Sequence, residues 1–148
     1  MKSKFIFRSL LSLFLCFVLL AAAVCGIAET AEATEQIPFS AGGTAEEPVP
    51  LGEGETTFLF IAVNEEGDEA WFSISTDAET VGSALLALNL IGGDFEAYGL
   101  YVKTVCGILA DYNINGHYWG LYINGDMAMT GVDGVAPENG TRYMMKFE

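Results

Sequence analysis

The amino-acid sequence predicts an α+β domain in which a four- to five-stranded mixed sheet packs on one helix. Two observations lead to this prediction. Several runs of strand length are either continuously apolar or alternate apolar and polar residues with a period of two. A single segment repeats its apolar residues with helical spacing. In chain order the predicted elements are β-β-α-β-β-β.

The first two strands are expected to pair as a hairpin. Residues 58–63 are continuously apolar, which indicates a central strand. The polar segment NEEGDE follows as a turn, and Ala70, Phe72 and Ile74 then alternate with other residues, as in a half-buried strand. Because the turn is short, the two strands should lie side by side.

The single helix is expected to span about 10–12 residues. Either Asp77 or Thr80 can cap its first turn. The apolar residues Val81, Ala84, Leu85 and Leu88 follow at i, i+3, i+4 and i+7. The pair Gly92-Gly93 is expected to end the helix.

Three further strands complete the predicted sheet. Residues 100–105 form the first and residues 118–123 the second, which the hairpin signal Asn124-Gly125 closes. Residues 141–147 form the last strand after a Pro-Glu-Asn-Gly turn. The complete order of elements is that of the β-grasp fold.

Residues 1–28 are interpreted as a secretory signal peptide. They carry basic residues and no acidic residue, and residues 10–24 are almost entirely apolar. Gly26 and Ala28 fit the small positions of a signal-peptidase site, so cleavage is expected after Ala28, with Ala23 as the alternative. Retention as a membrane span is disfavoured because the apolar run is short. The protein is therefore expected to be secreted, with no membrane span after cleavage.

Cys25 raises the alternative of a lipid anchor at the cell surface. The bulky Val24 before it departs from the small residue that such a signal requires, so lipidation is the less favoured prediction. After signal cleavage Cys106 is the remaining cysteine, and no internal disulfide can form.

The charge of the exported part excludes one class of partner. From residue 29 onward, three basic and 20 acidic residues give a net charge of −17. Such a chain repels phosphate backbones, so it is not expected to bind nucleic acid. Residues 29–56 are rich in Ala, Glu, Thr, Gly and Pro and are interpreted as an acidic, disordered linker, with the folded domain over residues 57–148.

The segment DYNINGHYWGLYING, residues 111–125, contains the candidate site residues Tyr118, Trp119 and Tyr122. One interpretation is that Trp119 belongs to the core and the tyrosines cover the outer face of the sheet. The other is a concave aromatic surface that stacks on a planar or sugar-like ligand. The two differ in whether Trp119 or the tyrosines are partly exposed beside a concavity.

No motif in the sequence indicates catalysis or a metal centre. Asp111-x-Asn113-x-Asn115-Gly116 resembles half of a calcium loop, but Tyr122 stands where the bidentate acidic ligand is needed, which favours a tight turn. Cys106 and His117 could form a pair, but no residue is placed to activate them. The protein is therefore predicted not to be an enzyme, with no catalytic residues, no metal ligands and no cofactor.

Residues 58–147 resemble a bacterial domain of unknown function related to the C-terminal β-domain of transcobalamin and intrinsic factor, a group of soluble-ligand-binding β-grasp domains. The resemblance implies a bacterial origin. It depends on the order of several short motifs. These are Thr80-Val81-x-x-Ala84-Leu85, Val105-Cys106-Gly107, Tyr118-Trp119-x-x-Tyr122-x-Asn124-Gly125 and Gly131-Val132-Asp133.

The resemblance implies a binding role for a corrinoid-like ligand such as cobalamin. In the animal carriers the β-domain covers cobalamin from one side and a helical domain holds the other. The resemblance therefore places Trp119 against a ligand, with Tyr118, Tyr122 and the loop Gly131, Val132 and Asp133 beside it. It also implies a partner protein that supplies the second surface.

Two alternatives to a ligand-binding domain remain open. The first is an extracellular protein-interaction or structural surface module with no small ligand. The second is pairing of an exposed edge strand with a partner strand.

Overall fold

The structure is a computed structural model that describes residues 35–148. The expected signal peptide, its cleavage site and Cys25 lie outside the described residues. Within residues 35–148, no helix is both long and apolar enough to cross a membrane.

A six-stranded mixed sheet forms the larger layer. Its strands are β1 (Val49–Leu51), β2 (Thr56–Val63), β3 (Glu69–Thr76), β7 (Trp119–Ile123), β8 (Asp126–Met127) and β9 (Arg142–Phe147). Their spatial order is β1-β3-β2-β9-β7-β8. The central strands β2 and β9 are parallel, whereas β3 and β7 flank them in antiparallel orientation. The first and the last long strands therefore meet in the middle of the sheet.

A three-stranded antiparallel sheet forms the smaller layer, and the sequence did not predict it as a separate sheet. It consists of β4 (Ile91–Glu96), β5 (Gly99–Val105) and β6 (Ile108–Leu109), in that order. The β4–β5 hairpin turns through Ala97 and Tyr98. Gly99 follows the turn with a φ of 110°, and a Cβ at this residue would collide with the Asp133 carboxylate. A glycine is therefore required at position 99.

Two short α-helices accompany the sheets. Helix α1 (Val81–Ala87) begins with a capping box, in which Thr80 and Ser83 each accept from the backbone N–H of the other residue. Helix α2 (Tyr112–Asn115) is a single turn capped by Asp111. Single 3₁₀ turns occur at Phe39–Ala41 and Val132–Gly134.

The α+β class, mostly sheet with few helices, is confirmed, but the predicted single sheet on a single helix is wrong. The helix is seven residues long and ends near Leu88, because Asn89 adopts a left-handed φ of 55°. Gly92 and Gly93 belong to β4 and do not end the helix. Strands β1, β6 and β8 have only two or three residues, which is too short for a periodic pattern.

The structure also differs from the expected linker over residues 35–56. Strand β1 pairs in parallel with β3, and Gly43 bridges to Trp71. The apolar side chains Ile37, Phe39, Val49 and Leu51 pack against the core. These four residues are the large apolar side chains of the segment, and each of them contacts the core. The average composition of the segment is polar, so it does not indicate that the segment is partly buried. We call residues 36–51 the N-terminal strap.

Gln36 attaches the N-terminal strap to the small sheet, and its removal is expected to cost about 1–2 kcal/mol of unfolding free energy. Its amide nitrogen donates to Thr104 Oγ1 at 2.7 Å, and its oxygen accepts from the Gly107 N–H at 2.9 Å. Urea unfolding of Gln36→Ala should show this loss. The exposed neighbour substitution Glu35→Ala is the control and should be neutral; an equal effect of both would contradict the prediction.

Candidate functional site

A cavity of about 210 Å³ lies between β5 of the small sheet and β7 of the large sheet. Four of the six predicted site residues line it, namely Tyr118, Trp119, Gly131 and Val132. The remaining lining residues are Leu100, Tyr101, Val102, Leu121, Ala128, Thr130 and Met145. The wall is therefore mainly apolar, with Tyr118 and Thr130 as its hydroxyl-bearing residues, because the Tyr101 ring lies under Lys103 on the other face of β5.

Trp119 is a packed residue that also forms part of the cavity wall. Its side chain is only 8% exposed. The indole Nε1–H donates to the Lys103 carbonyl at 3.3 Å, and the ring meets Phe147 edge-on with centroids 5.6 Å apart. The indole is thus fixed in position by β5 on one side and β9 on the other.

Tyr118 is the exposed aromatic group at the cavity, with 44% of its surface accessible. Its backbone N–H and carbonyl bond to Glu148, which fixes the start of β7 against the end of β9. Trp119 is therefore largely a core residue, whereas Tyr118 is accessible beside the cavity.

The other two predicted site residues have different positions. Tyr122 does not line the cavity, and its hydroxyl donates to Glu148 Oε1 at 2.8 Å, which raises the pKa of the phenol. Asp133 accepts from the Leu100 N–H at 3.0 Å through Oδ2. The Asp133 carboxylate therefore holds the Gly131 loop against β5 and supports the cavity wall, although Asp133 does not itself line the cavity.

The sequence interpretation missed Phe95, which is 74% exposed on β4. Phe95 pairs with Leu100, and cross-strand partners project from the same face of a sheet. Because Leu100 lines the cavity, Phe95 lies on the cavity side of the small sheet. The signal that could have located it is the aromatic spacing of Phe95, Tyr98 and Tyr101 around a glycine.

An ionic cluster stabilises the opposite face of β5. The Lys103 ammonium lies 2.7 Å from Asp94 Oδ2 and 3.2 Å from Asp111 Oδ2. The hydrogen bonds that Lys103 donates, first to Asp94 and then to Asp111, raise the pKa of Lys103 to about 12. Asp111 Oδ1 accepts from the Asn113 N–H, so the half calcium loop is a capped turn whose first carboxylate is paired with Lys103.

We expect Lys103→Met to lower the melting temperature at neutral pH. The folded-state pKa of Lys103 is raised above its ordinary value of 10.5. The stabilisation is therefore complete below pH 10.5 and disappears as the pH rises through about 12. The difference in melting temperature between the wild type and the variant, followed by circular dichroism, should be smaller at pH 12 than at pH 8. The exposed cation Arg142 provides the control Arg142→Met; an equal difference for Lys103→Met at both pH values would contradict the expectation.

Cys106 and His117 have separate structural surroundings. Cys106 is buried, and burial raises the pKa of its thiol to about 12. The His117 ring packs on Phe147 with centroids 4.6 Å apart, and its Nδ1 lies 3.0 Å from the Glu148 main-chain oxygen. Across residues 35–148, no group of three or more His, Cys, Asp or Glu side chains is arranged to hold a metal ion.

Comparison with known protein families gives a match for part of the chain. The model of a family described as "Domain of unknown function (DUF4430)" matches residues 78–148. A search of curated proteins finds no match.

Two solved structures are similar to the chain. One is a protein from Ruminococcus gnavus ATCC 29149, described as a candidate metal-binding protein, with 24% identity and a TM-score of 0.60 over 64% of this chain and 97% of that one. The other is haptocorrin in complex with Cbi, with 14% identity and a TM-score of 0.52 over 66% of this chain. The aligned part spans only 26% of haptocorrin. At these identities the similarity shows a shared fold.

Proposed function

We propose that residues 35–148 form a non-enzymatic domain that binds a corrinoid-like ligand at the cavity between β5 and β7. One observation carries the proposal: the fold brings Tyr118, Trp119, Gly131 and Val132 to one apolar cavity. The fold shared with haptocorrin in complex with Cbi supports the class of ligand.

The size of the cavity indicates how such a ligand would be held. Ligand pockets usually enclose about 300–1,000 Å³, and most of the ligand surface is buried in them. This cavity has about 210 Å³ and cannot enclose a corrinoid ring. The ligand would lie across the cavity mouth, against the exposed Tyr118 and Phe95. A partner protein would cover its other side.

The proposal includes a β-grasp core and an exported location. The order β3-β2-β9-β7, with a parallel central pair, supports the β-grasp interpretation. The signal-like sequence of residues 1–28 supports secretion or attachment to a cell surface. A metal site is not proposed, because the described residues bring no ligand set together.

The test is a titration of the purified protein with cobalamin and with a base-free corrinoid, by calorimetry and Trp fluorescence. Thr130→Arg places a long side chain at an exposed position of the cavity wall and should weaken binding at least about tenfold, which is a loss of 1.4 kcal/mol. Tyr118→Ala should weaken binding without unfolding the domain, because the ring is partly exposed.

Trp71→Phe is the matched control for these variants. Trp71 is the other tryptophan, and its Nε1–H donates to Glu69 on β3, outside the cavity lining. This variant should bind normally and should isolate the fluorescence of Trp119. No heat and no fluorescence change up to millimolar corrinoid would refute the ligand for this protein.

A further inference from the structure

Strand β4 has one edge that no other strand of residues 35–148 pairs with. In the small sheet β4 pairs with β5 on one side, and among the described residues no strand covers its other side. The N-terminal strap reaches only its start, where the Gln36 amide lies against Gly92. From Gly93 to Glu96 every residue of β4 is exposed.

The hydrogen-bonding groups on this edge can be assigned from the register. Phe95 pairs with Leu100, and the Leu100 N–H donates to Asp133, away from β4. Phe95 and Leu100 are therefore a non-hydrogen-bonded pair, so the Phe95 N–H and carbonyl also point away from β5. The edge thus presents donors and acceptors for an additional strand.

The side chains on β4 determine what kind of strand can pair with it. Asp94 and Glu96 project from one face, and Phe95 projects from the other. A second copy of this chain, paired antiparallel, would bring these carboxylates next to their counterparts, which is unfavourable. Residues 35–148 contain 18 acidic and three basic side chains, which adds to the repulsion.

We propose that the outer edge of β4 binds an extended segment of a foreign protein in which basic and apolar residues alternate. The basic side chains would face Glu96 and the Asp94 carboxylate, which is 65% exposed although its Oδ2 pairs with Lys103, and an apolar side chain would pack beside Phe95. Because Phe95 is on the cavity side of the small sheet, the added strand would extend the wall of the cavity. Strand addition does not depend on the ligand proposed above.

The experiment uses the purified protein and a blocked peptide, acetyl-Thr-Lys-Val-Lys-Val-Lys-Val-Thr-amide. Calorimetry should show saturable binding, and hydrogen exchange of the Phe95 amide should slow at least about tenfold in the complex. The same peptide with glutamate in place of lysine should bind about tenfold more weakly or worse. A peptide with alternate backbone amides methylated should not bind, because it lacks the donors.

Phe95→Pro and Phe95→Ala form a matched pair. Proline removes the outward N–H and leaves the β4–β5 hydrogen bonds in place, as expected at a strand edge, whereas alanine removes only the ring. Phe95→Pro should weaken peptide binding at least about tenfold relative to Phe95→Ala. Glu96→Lys should favour the glutamate peptide over the lysine peptide.

Three results would overturn the inference. The first is the absence of saturable peptide binding, and the second is binding that leaves the Phe95 amide exchange unchanged. The third is equal binding of the methylated and unmethylated peptides by the wild type, which decides the question even if Phe95→Pro does not fold. Thr130→Arg should leave peptide affinity unchanged, so failure of the corrinoid proposal is distinguishable from failure of this one.

Discussion

Tyr143→Ala is expected to lower the free energy of unfolding by about 3–5 kcal/mol. Tyr143 is only 1% exposed and lies on β9, next to the first long strand β2. Its ring meets Phe58 edge-on at 5.1 Å, and its hydroxyl donates to the Ala136 carbonyl and accepts from the Glu138 N–H, both at 3.2 Å. The substitution leaves a cavity beside Phe58 on the core face of the sheet and two backbone groups without their partner.

Urea unfolding measures this loss, and two companion variants divide it into parts. Met144→Ala alters the next residue of β9, on the opposite and half-buried face, and should cost clearly less. Tyr143→Phe keeps the ring and should cost about 1–2 kcal/mol, the value of the lost hydrogen bonds. If Tyr143→Ala and Met144→Ala are equally mild, the parallel β2–β9 pair does not lie at the centre of the core.

The local patterns predicted the elements that depend on local chemistry. The β2–β3 hairpin, the Thr80 cap and the Asn124-Gly125 turn all lie where the sequence placed them. In β9, Tyr143 and Met145 are buried and Arg142 is exposed, as the period of two requires. Each of these features is determined by residues that are close together in the chain.

The elements that the sequence did not reveal depend on distant contacts. The N-terminal strap is ordered by hydrogen bonds from Gln36 and Ile37 to residues more than 50 positions away in the chain. Gly92 and Gly93 carry a helix-stop signal, yet they continue into β4 because β5 supplies hydrogen-bond partners. Composition within a window cannot contain either contact, so the sequence predicts a disordered linker over residues 29–56 and the end of the helix at Gly92-Gly93.

The candidate site also contains residues that the sequence indicated and residues whose positions depend on distant contacts. Tyr118 and Trp119 were identifiable because the aromatic cluster is continuous in the chain. Phe95 was not, because its position beside the cavity depends on pairing between β4 and β5. Tyr122 and Asp133, which belong to the same motifs, bond instead to Glu148 and to the Leu100 backbone. Residues of one sequence motif therefore lie near the same site, but the motif does not show which of their side chains face it.

Trp119→Ala is expected to cost about 3–5 kcal/mol of stability and to abolish corrinoid binding. The Trp119 side chain is only 8% exposed. Its indole N–H donates a hydrogen bond to the Lys103 carbonyl, and the residue forms part of the cavity wall. Removing it takes away the packing against Phe147 and part of the wall of the cavity at which the corrinoid is proposed to bind. A loss of binding in this variant alone could therefore reflect unfolding.

Trp119→Phe separates packing from binding. Phenylalanine retains an aromatic face against Phe147 but cannot donate to the Lys103 carbonyl, so the loss of stability should be about 1–2 kcal/mol. Calorimetry well below the melting temperature should then show weakened but measurable corrinoid binding. If Trp119→Phe is fully folded and binds as tightly as the wild type, the indole serves only the core. Under the proposed function, recognition would then depend on the exposed aromatic residues, which are Tyr118 at the cavity and Phe95 on β4.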